Sequence, residues 1–99
     1  MNKIVSYIGF AIKSKKLLTG QTHLKHTKEN LQLILVSSDA TENLKNLAKN
    51  LAVKHSCTYI ITNVPLEQLT NIPNIKIVAI TDENLSKAII KNKEIISIG

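Results

Sequence analysis

Tryptophan and arginine are absent from this chain of 99 residues, and cysteine occurs once, at Cys57. Aromatic side chains are scarce too, limited to Tyr7, Phe10 and Tyr59. A lone thiol forms no disulfide within the chain, and no CxxC or Cys/His spacing suggests a metal site, so a reducing, cytosolic setting is expected. Three aromatics leave few rings for stacking single-stranded bases, which weakens that class of function. Without arginine, lysine can bind phosphate as a point charge but cannot supply the bidentate fork. With isoleucine and asparagine also frequent, the lysine bias reads as the codon usage of an AT-rich genome. No apolar run reaches membrane-spanning length, and the N-terminal stretch lacks a signal-peptide cleavage pattern.

Negative charge is missing from a defined place. No acid precedes Glu29, whereas Lys3, Lys13, Lys15, Lys16, Lys25 and Lys28 all fall in residues 1–28. Beyond that point seven lysines and seven acids cancel, so the whole formal excess of +6 resides in the first 28 residues. Such confinement suggests a surface that faces a polyanion. Its densest part is "KKLLTGQTHLKHTK", residues 15–28, with four lysines, two histidines and one glycine.

What the chain does have is an ordinary aliphatic core, at 43% hydrophobic residues, and a length that makes one domain. Ile4, Val5, Ile8, Ala11 and Ile12 fall on one helical face and predict a helix over residues 2–13. Leu17 and Leu18 predict a short extended piece ending at Gly20, followed by a second helix that fades by Lys28. "LQLILVSS", 31–38, reads as a central strand. Asp39 with Glu42 has capping-box spacing before a helix over 41–55, whose inward stripe is Leu44, Leu47, Ala48, Leu51 and Ala52. "CTYIIT", 57–62, predicts a strand, and Pro65 a short helix through Leu69 that Pro73 closes. "IKIVAIT", 75–81, predicts another strand, and Asp82 or Thr81 caps a last helix that turns Leu85, Ala88 and Ile89 inward. Residues 94–99, "EIISIG", suit either an extension of that helix or an edge strand. This alternation predicts an α/β fold, a three-layer α/β/α sandwich with a mixed sheet of about four strands.

Catalytic chemistry finds little support. GxGxxG, P-loop and HExxH patterns are absent. Cys57 opens a strand and reads as a small buried hydrophobe, and His55 as a helix-end residue serving the dipole or the last carbonyls. Asp39 and Asp82 follow strands, where α/β active sites collect, but capping accounts for both. His23 and His26 could share a ligand on a helix, yet no third metal ligand is near in sequence. No cofactor and no metal are expected. Gly20 differs: a helix start presents free amides that favour phosphate, and a glycine there admits close approach by a nucleic-acid backbone. Gln21, Thr22 and His23 can exchange hydrogen bonds with base edges.

These segments resemble a known family. "IGFAIKSKKLLTGQTHLKH" and "LQLILVSSDATENLKNLAKNLAVKHSCTYIIT" are similar to the ribosomal-protein L-seven-Ae / L-thirty-e superfamily, and within it to the small bacterial YlxQ-like members. "GFAIKSKKLLTG" matches the family's "GLAxKAGKLVSG", "LILVSSDATENLKNL" its "LVLLAxDASxNTxKKL", and "IVAITDENLSKAI" its "VVAVxDxxFAKxI". The resemblance implies an α/β/α sandwich that binds structured RNA, typically kink-turns. Ribosomal RNA is a candidate partner, and a monomer is expected. The resemblance also implies RNA contact at the Gly-x-Asn-Glu slot, which here reads Gly20-Gln21-Thr22-His23, with Thr22 in place of Asn and His23 in place of Glu. Lys25 or His26 would supply the basic residue one turn later. The second-helix region is shorter than the family's and lacks its closing glycine. The loop before the last strand is shortened, and of the family's "LGxAxG" only Leu69 remains, with Thr70 at a glycine position. The expected RNA-facing set is Lys13, Lys15, Lys16, Thr19, Gly20, Gln21, Thr22, His23, Lys25, His26 and Lys28, with the lysines gathered around the helix start. The other expectation is a protein-interaction module on the same fold that has lost RNA specificity.

Overall fold

A computed structural model describes residues 3–92. Helix α1, Lys3–Lys13, leads through a turn into β1, Leu17–Thr19, and then α2, Gln21–His26. Strand β2, Leu33–Ser37, is followed by α3, Glu42–His55, and β3, Thr58–Thr62. A short α4, Leu66–Thr70, precedes β4, Ile77–Ile80, and α5, Glu83–Lys91, closes the described chain. The strands form one mixed sheet in the order β1-β4-β2-β3. β2 and β3 run parallel, and β4 runs antiparallel to both of its neighbours, β1 and β2.

The period-two alternation of the strands sorts the core into two layers. Leu33, Leu35, Ile60, Val78 and Ile80 face Ile4 and Ile8 of α1, Leu66 and Leu69 of α4, and Ile89 of α5. On the other face Ile34, Val36, Ile77 and Ala79 meet Leu24 of α2 and Ala48, Leu51 and Ala52 of α3. The molecule is therefore an α/β/α sandwich, with α1, α4 and α5 on one face and α2 and α3 on the other. Even the three residues of β1 obey the rule, since Leu17 packs with the first cluster and Leu18 with the second. β2 and β4 are buried throughout because both are interior strands covered on both faces.

Several local expectations need correction. Asp39 does not cap α3; Thr41 does, its hydroxyl oxygen accepting from the Leu44 amide at 3.2 Å. Asp39 is drawn away by Lys76 and Ser37, which leaves the next hydroxyl residue to meet the first-turn amides. Helix α2 has faded by Lys28 as expected, ending at His26, where Thr27 turns extended at ψ 144 and accepts from the Glu29 amide. That exit lets Leu31, 1% exposed, reach the core. Ile12 lies at the margin of the α1 stripe and is 38% exposed. His55 does not serve the carbonyls at its own helix end; its Nδ1 accepts from the Leu31 amide at 3.4 Å. Asp82, and not Thr81, caps α5, accepting from the Leu85 amide at 2.9 Å. Pro65 lies just outside α4, and left-handed Asn71 ends that helix ahead of Pro73. The expectation for 94–99 falls outside the described residues. No helix among those described is long and apolar enough to cross a membrane.

Candidate nucleic-acid interface

Strand direction divides the candidate residues between two rims of the sheet. The ends of β1 at Thr19, β2 at Ser37 and β3 at Thr62 lie level with the start of β4. Gly20, Asp39 and Lys76 therefore share this first rim. At the second rim lie Lys16, Gln32, Cys57 and Thr81, beyond the other ends of the same strands. β1 spans three residues, so the two rims stand about 10 Å apart along it at ~3.3 Å per residue.

On the first rim Gly20 takes φ 87, a left-handed value that favours glycine. A Cβ built there meets nothing within 4 Å. The glycine is thus required by the backbone path and not by a crowding protein neighbour, and the site above it is open. The Gly20 carbonyl accepts from the Leu24 amide at 3.0 Å, and no side chain caps α2. Gln21, Thr22 and His23 are exposed, and Leu24 is the anchor, fully buried beneath them. Thr19 is half-buried. Gly20 and Gln21 border a groove of about 220 Å³ whose other walls are Leu44 of α3 and Asn74, Ile75 and Lys76 ahead of β4.

This rim is not basic. Lys76 Nζ lies 2.7 Å from Asp39 and 3.5 Å from Glu67, and Lys45 lies 3.8 Å from Glu42 in the first turn of α3. Three carboxylates therefore surround two ammonium groups. Lys76, bonded to Asp39, holds the Asp39 carboxyl below its ordinary value, and the Ser37 hydroxyl adds to the effect. Lys76 is raised in turn, chiefly by its bond to Asp39. The Ser37 hydroxyl donates to Asp39 and accepts from the Leu66 amide, so one fully buried serine ties the ends of β2 and the start of α4 together.

The unbalanced lysines lie elsewhere. Lys13 ends α1, which covers one face of the sheet. Lys25 lies on α2, which covers the other. Lys15 and Lys16 form the turn between α1 and β1, and Lys28 follows α2 on the way back to the second rim. All five are exposed. Among the described residues, no carboxylate lies within ion-pair distance of any of them. The lysines therefore do not ring the start of α2. Lys15 and Lys16 precede β1, the edge strand of the sheet, at the end opposite Gly20, and Lys13 and Lys25 belong to the helices that contact β1 from the two faces.

The turn that carries two of them is a helix C-cap. The Lys16 amide bonds the Ala11 carbonyl at 2.7 Å and the Lys15 amide bonds that of Ile12 at 3.2 Å, the paired bonds of a Schellman motif. Such a motif wants glycine at its left-handed position, and here Lys15 occupies it at φ 61. The similar family pattern quoted above has glycine at this place. A lysine there costs about 1 kcal/mol relative to an unstrained backbone.

His23 and His26 are exposed on α2, and among the described residues no group of three or more His, Cys, Asp or Glu side chains is placed to hold a metal. Burial lowers the His55 pKa, with Lys54 contributing, and burial raises that of the half-buried Cys57 thiol. Two features were missed by sequence reading: the Asp39–Lys76–Glu67 cluster, whose members are distant in the chain, and the exposure of Phe10. The outward position of Phe10, one residue before inward Ala11, was the only signal for the latter.

No family model matches the chain, and no curated protein does. Among solved structures, a protein of unknown function from Bacillus halodurans C superposes with a TM-score of 0.77 at 18% identity, covering 92% of this chain and 96% of that one. What is shared at that identity is the α/β fold, with its helices arranged around a four-stranded mixed sheet.

Proposed function

We propose that the protein is a non-catalytic, cytosolic RNA-binding protein that docks structured RNA of the kink-turn class along the β1 edge and the α2 face. One observation carries this reading. The entire formal excess of positive charge arises in residues 1–28, and the lysines of that segment that flank β1 and α2 are exposed and lack carboxylate partners. Phosphates attract such lysines over the Debye length, and each neutralised phosphate releases counterions. Lys13, Lys15, Lys16, Lys25 and Lys28 supply this attraction. Gly20, Gln21, Thr22 and His23 supply shorter polar contacts, with Thr19 and His26 beside them. The left-handed Lys15 adds support, since a cation stands where glycine would sit without strain. The resemblance to the L-seven-Ae / L-thirty-e superfamily adds the class of RNA, with ribosomal RNA the first candidate.

An electrophoretic shift against a kink-turn RNA and a scrambled RNA of equal length, each at low and moderate salt, tests the proposal. Tighter binding of the kink-turn at both salts is expected. Equal binding removes the kink-turn specificity, and no shift at either salt removes RNA as the partner. The second reading, a protein-interaction module on the same fold, is favoured by one feature. A groove of about 360 Å³ beside α3 and β3 is lined by Lys49, Ala52, Val53, Cys57, Thr58 and Tyr59, and Val53 there is 74% exposed.

A further inference from the structure

We propose that Phe10 is a stacking platform for an unpaired base of the bound RNA, placed on the outer face of α1 beside Lys13, Lys15 and Lys16. The inference rests on the RNA-binding reading above and names a single-stranded segment as part of the ligand. Ile4, Ile8 and Ala11 turn α1 toward the sheet, which leaves Lys3, Ser6, Phe10 and Lys13 on the outer face, all exposed. Phe10 is 61% exposed, whereas Tyr7 and Tyr59 are half-buried against the two core clusters. Among the described residues it is therefore the aromatic ring that solvent reaches freely.

Its surroundings select the occupant. Lys13 follows Phe10 by three positions, which on a helix places the two Cβ atoms about 5–6 Å apart. Lys15 and Lys16 come in the turn directly after, and none of these three lysines has a carboxylate partner among the described residues. Ser14 does not compete for a ligand, because its hydroxyl donates to the Phe10 carbonyl at 2.8 Å. A partner docking through an apolar helix face would need several apolar anchors, but on α1 the only other exposed large hydrophobic residue is Ile12. One exposed ring with ammonium groups a turn away suits a nucleotide. The π face takes the base, and the lysines take the phosphates on either side. RNA lying on the β1 edge would then continue over the end of α1 with at least one base unstacked.

The test uses the full chain, a fluorescein-labelled short oligoadenylate, a kink-turn RNA and inorganic polyphosphate. Phe10→Ala is expected to weaken oligoadenylate binding about five-fold or more, while affinity for polyphosphate and the salt slope stay at wild-type values. Phe10→Leu, which keeps the apolar surface but not the ring, is expected to behave like Phe10→Ala. The chain has no tryptophan, so Phe10→Trp gives a single reporter, expected to be quenched by oligoadenylate and not by polyphosphate. Unchanged oligoadenylate affinity in Phe10→Ala, with an unquenched Phe10→Trp, overturns the stacking role while leaving RNA binding in place. Self-association that disappears in Phe10→Ala at unchanged oligoadenylate affinity assigns the ring to a protein contact and overturns it as well. Failure of the wild-type chain to bind either RNA ends both readings together.

Discussion

The backbone carbonyl of Lys16 accepts two hydrogen bonds from Thr81, from its amide at 2.9 Å and from its hydroxyl at 3.3 Å. The pair fastens the lysine-bearing turn to the end of β4, so the charges of Lys15 and Lys16 project from a fixed backbone. Lys15 holds the left-handed position of that turn. Lys15→Gly should therefore raise stability by about 1 kcal/mol, because glycine adopts this conformation without a Cβ clash. The same substitution should weaken RNA binding and reduce the magnitude of the salt slope by about one. Urea unfolding and filter binding on one preparation check both, and gains or losses in the same direction would separate the turn from the RNA site.

Leu24 is the buried residue of the six-residue α2. So short a helix has little stability of its own and persists by tertiary packing. Leu24→Ala should cost about 2–5 kcal/mol and loosen the segment that presents Gln21, Thr22 and His23. Chemical denaturation measures the cost. A loss of less than about 1 kcal/mol would mean that α2 is held by something other than this contact.

The Asp39–Lys76 pair makes a pH prediction of definite sign. Asp39 is held below its ordinary value by Lys76, so the folded state binds fewer protons than the unfolded one. Its contribution is present above the ordinary carboxylate range and is lost as pH falls through the lowered value. Lys76 is raised, and its share is lost at the alkaline end as pH climbs through that raised value. Asp39→Asn should flatten the acid limb of a thermal stability profile. A variant whose acid limb matches the wild type would show that the pair contributes nothing to folding.

His55 acts on the neutral side. Its Nδ1 can accept the Leu31 amide only when the ring is unprotonated, and burial lowers its pKa. Unfolded histidine takes up a proton first, so stability should decline as pH falls below the ordinary histidine range and level off below the lowered value. Replacement by Gln should remove that decline. The measurement is unfolding by urea at a series of pH values, compared between the two chains.

Much of this was legible in the order of residues. Period 3.6 in α1, α3 and α5 and the apolar runs of β2, β3 and β4 give the alternation that builds the sandwich. Even the brief β1 could be read from Leu17, Leu18 and the glycine after them. What could not be read depends on contacts between distant residues. Asp39 looks like a cap beside Glu42 until Lys76, far along the chain, takes its carboxylate. Thr81 and Asp82 were equal candidates for the α5 cap, and only the return of Lys16 to the sheet occupies Thr81. The lysines of residues 13–28 are neighbours in sequence, yet β1 carries the chain from one rim to the other between Lys16 and Gly20. Sequence clustering thus did not become a ring around Gly20, and the acids that share the rim of Gly20 come from three other places in the chain, Asp39, Glu42 and Glu67.

RNA docking on the lysines that flank β1 is tested most directly by the salt dependence of binding for the wild-type chain and for Lys15→Glu combined with Lys16→Glu, both titrated by filter binding with a kink-turn RNA. If about four or five phosphates are neutralised, the wild-type log K should fall with log salt at a slope of roughly −4. The double variant should lose most of its affinity and show a flatter slope. Equal affinity and equal slope in the two chains would contradict binding along the β1 edge.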